Sequence, residues 1–81
     1  MAIDIEQIIY IQLLEEGTKV YRPIKAVEIT QDVYRILESN EYDAEDEIWE
    51  FLPGSNVMVE EKILSGKSVL VAIKAVAPGS L

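Results

Sequence analysis

The chain contains no cysteine and no histidine. The first absence removes disulfide staples and thiol chemistry; the second removes the commonest general base and metal ligand. Bases are scarce as well: seven Lys and Arg stand against fifteen Asp and Glu, for a net charge of −8. Phosphate affinity needs clustered cations, so this balance argues against duplex DNA or RNA as a direct ligand, and against anionic membrane surfaces. The longest uninterrupted apolar run is Val69 to Ile73, far short of a membrane span. No basic residue precedes Lys19 and no apolar core of signal-peptide length opens the chain, so the default expectation is a cytoplasmic location. With four Gly and three Pro among 81 residues, and 49% hydrophobic residues, the chain reads as globular. That length predicts one domain over 1–81 with a modest core, residues 77–81 forming a frayed tail.

What is present is mostly β-forming. Ile48 to Ile63 reads as two strands joined by a tight turn, with Trp49 and Phe51 sharing one face and Val57, Val59 and Ile63 another. Pro53-Gly54 suits the central positions of a type II turn, Pro presetting φ and Gly accepting φ > 0. Trp49 and Phe51 are the only residues of their kinds, and each ring could remove roughly 150–250 Å² from water. Ile8 to Leu14 predicts a strand with Ile9, Ile11 and Leu13 on one face; a helix from about Asp4 to Glu16 is the competing reading. Glu15 to Thr18 reads as a turn. Lys19 to Ile29 resumes an extended pattern, expected as a bent pair of short strands because Pro23 removes a ladder donor and belongs at an edge or bend.

Thr30 to Asp32 reads as a turn into a strand over Val33 to Leu37, with Tyr34 and Ile36 facing one way. A helix over 31–39 capped by Thr30 stays open. Glu41 to Asp46 reads as a solvated loop, against a helix over 44–52 capped by Asp43. Val57 to Leu64 alternates cleanly, Ser65 to Ser68 is a hairpin turn, and Val69 to Val76 closes the chain with Val69, Val71 and Ile73 toward the core. The fold class predicted is mainly β: a small barrel or strongly curved antiparallel sheet of five to six strands.

Three stretches carry a resemblance: Leu14-Glu15-Glu16-Gly17-Thr18-Lys19-Val20-Tyr21-Arg22-Pro23-Ile24, Val33-Tyr34-Arg35-Ile36, and Trp49-Glu50-Phe51-Leu52-Pro53-Gly54. Together they resemble short uncharacterised bacterial proteins credited with an SH3-like barrel. The resemblance runs from Ile8 to Val76 and rests on turn and core residues, so it implies a fold and brings no activity or site.

The chemistry-bearing patterns are thin. Gly66-Lys67-Ser68 matches the end of a phosphate-binding loop, but Glu61 stands where that motif needs its first Gly. The acids at 41–47 lack the Gly and the twelve-residue register of an EF-hand, and carboxylate catalysis needs a burial that the sequence does not show. Neither an enzyme, a metal site nor a cofactor is expected. Lys19, Arg22 and Lys25 surround Pro23 but do not share one strand face by period two. The four Tyr, with Trp49 and Phe51, are more often core than a peptide groove, Tyr42 being the one expected outside.

Two functional expectations remain. One is a non-catalytic protein-interaction module that binds another protein or assembles with itself. The other is an acidic inhibitor or decoy, an immunity protein or nucleic-acid mimic, docking on a basic protein surface. The contact residues expected are Glu41, Tyr42, Asp43, Glu45, Asp46 and Glu47, with Arg22.

Overall fold

In β1 (Glu6–Leu14) the period-two pattern is realised directly: Ile9, Ile11 and Leu13 are buried while Ile8 and Leu14 face outward. A computed structural model describes residues 5–77, and all the described secondary structure is β. The expected tail falls on residues 78–81 outside that range, save Ala77. Five further strands follow: β2 (Val20–Thr30), β3 (Val33–Ile36), β4 (Ile48–Trp49), β5 (Asn56–Leu64) and β6 (Lys67–Ala75).

β1, β2, β3, β5 and β6 pair in that order, each antiparallel to the one before, and β6 returns to β1 through a parallel contact at Tyr10 and Val71. The closing pair has to be parallel. Five strands that alternate direction leave the first and fifth running the same way. The ring makes a small barrel-like fold, and β4 is a two-residue excursion that lies against β1 at Leu13 and Leu14. Inside are Ile9, Ile11, Ile24, Ile36, Val57 and Trp49, with Tyr34, Val59 and smaller residues between them.

Several expectations change. Ile48–Trp49 and β5 do not pair with each other, so the span 48–63 is no hairpin; β4 joins β1, and β5 joins β3 and β6. The Pro-Gly turn inside it is real: the Ser55 amide donates to the Leu52 carbonyl at 3.1 Å and Gly54 has φ 90°. Lys19 to Ile29 is not a bent pair of strands but one eleven-residue strand, β2, with an extra residue at Ile29 where its register against β3 slips. Pro23 stays in the β1–β2 ladder opposite Tyr10.

β6 carries the other bulge. Met58 pairs with Lys74 and Val59 with Ala72, so Ile73 is left over. That extra residue re-phases the strand: Leu70 and Ala72 join the core, Val71 is buried beside Tyr10, and Ile73 is exposed. Val57 and Val59 face inward as expected, whereas Ile63 lies past the core at the hairpin end, 69% exposed. Ser65 (φ 51°) and Gly66 (φ 80°) form the two-residue loop of that hairpin, both in the left-handed region a type I′ turn requires.

Candidate functional site

The β3–β4 loop is held at three points. Asp43 starts a single turn: its Oδ1 accepts the Glu45 amide at 2.9 Å, and its carbonyl accepts the amides of Asp46 and Glu47 at 3.1 Å each. Tyr42, expected outside, is half-buried instead, its ring packed on Trp49 with centroids 4.9 Å apart and planes tilted by 56°. An aromatic pair of this kind gains from offset geometry what a lone exposed ring would lose. Glu47 then ties the loop to the barrel mouth. Its Oε1 accepts the Trp49 indole Nε1–H at 3.0 Å and meets the Arg22 Nε at 3.0 Å.

The expected contact residues therefore divide. Glu41, Asp43, Glu45 and Asp46 are exposed, and none is within ion-pair distance of a described Lys or Arg. Tyr42, Glu47 and Arg22 are brought together around Trp49, where they fix the loop. Arg22 reaches Glu47 because it shares the inward parity of Ile24 and Ala26 on β2, while Lys25 takes the other. Period two therefore separates Arg22 from Lys25.

Asn40 is the residue that sequence reasoning missed. Its Oδ1 accepts the Lys25 amide at 2.9 Å, and its Nδ2 donates to the Lys25 carbonyl at 2.9 Å and to the Leu37 carbonyl at 2.7 Å. The carboxamide thus stands in for a peptide unit of a neighbouring strand just where β3 stops covering β2. Asn readily mimics backbone in turns, which is the only signal the sequence offers. The hollow beside it, about 310 Å³, has Pro23 and Lys25 on one wall, Asn40 and Glu41 on the other, and Trp49 below.

Among the described residues no three carboxylates converge closely enough to hold a metal ion, and Gly66-Lys67-Ser68 lies at a hairpin turn rather than at a helix N-terminus. Among the described residues the one shifted titration is that of Tyr34. Burial pushes its phenol up from 10.0, and the charges of Glu28 and Asp32 add to this. Its hydroxyl donates to Gln7 Oε1 at 3.1 Å. Among the described residues no helix is long and apolar enough to cross a membrane.

No family model, curated protein or solved structure matches the chain. The resemblance drawn from its turn and core residues meets the structure in the barrel-like fold and nowhere further.

Proposed function

We propose that the chain is a non-catalytic protein-interaction module. The observation that carries this is apolar exposure, on β1 and β5 and in the segments beside strands, around an interior that is already filled. Ile5 and Ile63 are about two-thirds exposed (67% and 69%), and Ile8 and Leu52 about half (54% and 50%). Single exposed apolar residues are ordinary, but four large ones on so small a barrel leave surface for a partner to cover. Affinity capture with the wild-type chain and with a folded Ile8→Asp, Ile63→Asp variant tests the reading. A partner or second copy held by the first and lost by the second supports it. A wild-type chain that stays monomeric and retains nothing contradicts it.

A second reading, an acidic inhibitor or decoy for a basic protein, is favoured by the anchored loop. Glu41, Asp43, Glu45 and Asp46 are free of cations on a segment that the Tyr42–Trp49 stack and the Glu47 contacts hold in place. Ordered carboxylates lose less entropy on docking than mobile ones. Binding of this kind is steered by charge and weakens steeply with salt. Affinity for a basic target that ignores ionic strength would exclude it.

A further inference from the structure

β2 and β5 each keep a stretch of edge that β3 does not cover, and the chain treats the two differently. β2 is covered by β3 only from Ala26 onward. Upstream, Lys25 directs its amide and carbonyl away from β1, where the Asn40 carboxamide takes both. Pro23 has the same parity, so its missing N–H also faces that edge. A neighbouring strand finds almost nothing to pair with there.

β5 has no such protection. β3 covers it only at Asn56 to Met58, and beyond Val59 its outer side has no described partner strand. The two-residue turn makes Leu64 and Lys67 a hydrogen-bonded pair, so Lys62 and Glu60 bond across to β6 while Glu61 and Ile63 point their amides and carbonyls outward. The bond from the Val59 amide to the Asp32 carbonyl, 2.8 Å, runs outward with the same parity. No proline lies in this stretch, the bulge sits in β6 rather than β5, and no described side chain bonds to these backbone groups. A two-stranded ribbon is marginal in water, and a third strand is what makes it stable.

We propose that this open edge pairs with the same edge of a second copy, antiparallel about a two-fold axis at Glu61. Outward-facing residues must meet outward-facing residues, so the allowed registers centre on a whole residue. Centring on Lys62 sets Lys62 against itself. Centring on Glu61 sets Glu60 opposite Lys62 of the partner, and Lys62 opposite its Glu60. That gives two opposite-charge pairs against one like pair, Glu61 on Glu61, with the exposed Ile63 at the margin of the contact. The ladder ends where Asp32 already holds Val59, which makes the contact short and the dimer reversible. The inference rests on the interaction-module reading and names its partner.

Sedimentation of the full chain over a wide concentration range tests it, at physiological ionic strength, where repulsion between two chains of net −8 is screened beyond about 8 Å. The wild type should dimerise. Glu60→Lys and Lys62→Glu should each weaken this by about tenfold or more. The double variant should recover it, and so should an equimolar mixture of the two single variants, because both restore opposite charges across the axis. Glu61→Pro should abolish it with an unchanged β-type circular dichroism spectrum, since the Glu61 amide bonds to nothing among the described residues. A wild type monomeric at every concentration, or a dimer indifferent to these exchanges, would overturn the proposal. If that monomer still captures another protein through Ile8 and Ile63, the interaction-module reading survives the loss; if it captures nothing, both fall.

Discussion

β2 and β5 each run on past the strand that covers them, yet one edge is sealed and the other is left open. The sealing on β2 is built from residues that would be ordinary elsewhere: a proline with the right parity, and an asparagine whose side chain copies a peptide group. Beneath that edge lies the barrel mouth, with Trp49 buried and bonded to Glu47. Over β5 beyond Val59 there is no cap and no such floor, only a charged outer face and Ile63 in solvent. Free strand edges are a hazard that proteins block with prolines, caps or charges; the β5 edge carries charges alone, so it marks the place to look for a partner whose charges complement them.

The sharpest break between the two regions should come from side-chain truncation. Trp49→Ala removes the floor of the sealed side and should cost about 3–5 kcal/mol, enough to unfold so small a domain. Ile63→Ala, on the open side, should stay within about 0.5 kcal/mol in the dilute monomer. Urea unfolding of both variants measures the difference, and similar costs would erase the contrast. Next is Asn40→Ala, expected to cost about 1 kcal/mol for the lost backbone bonds, with water replacing part of them. Because it also unseals β2, it should add self-association that the Glu61→Pro change does not remove, measurable by light scattering.

A smaller effect is set by pH. The Tyr34 phenol is raised from 10.0 by burial and by nearby carboxylates, so the fold favours its neutral form. Its contribution is fully present below the unfolded value of about 10 and is lost as pH climbs from there through the higher folded value. Thermal melts of Tyr34→Phe should lack that component of the alkaline fall that the wild type shows. Smallest of all, Glu47→Gln breaks the ion pair with half-exposed Arg22 but keeps an oxygen for the indole, and should cost less than about 1 kcal/mol in the same melts.

Much of the barrel was legible because alternation reports which face of a strand is buried. It placed Ile9, Ile11 and Leu13 inside β1, and Tyr34 and Ile36 inside β3. Alternation says nothing about which strand lies alongside. Ile48–Trp49 therefore read as the neighbour of β5 when its partner is β1. Bulges defeat it too: Ile73 shifts β6 by one residue, so Ala72 is buried and Ile73 exposed, although Val71 is buried as expected. At the loop, the acidic run was visible as charge. That Tyr42 folds back onto Trp49, and that Glu47 faces inward to Arg22, depends on contacts between segments twenty or more residues apart in the case of Arg22 and Glu47. Asn40 was invisible for the same reason, since its partner, Lys25, lies in another strand.

Amide hydrogen exchange resolved by residue tests the difference between the edges most directly. In dilute solution the Lys25 and Val59 amides should be protected, the first by Asn40 and the second by Asp32, while Glu61 and Ile63 exchange freely and slow only as concentration rises. Protection at Glu61 that never changes with concentration, or a Lys25 amide that exchanges as fast as Glu61, would contradict it.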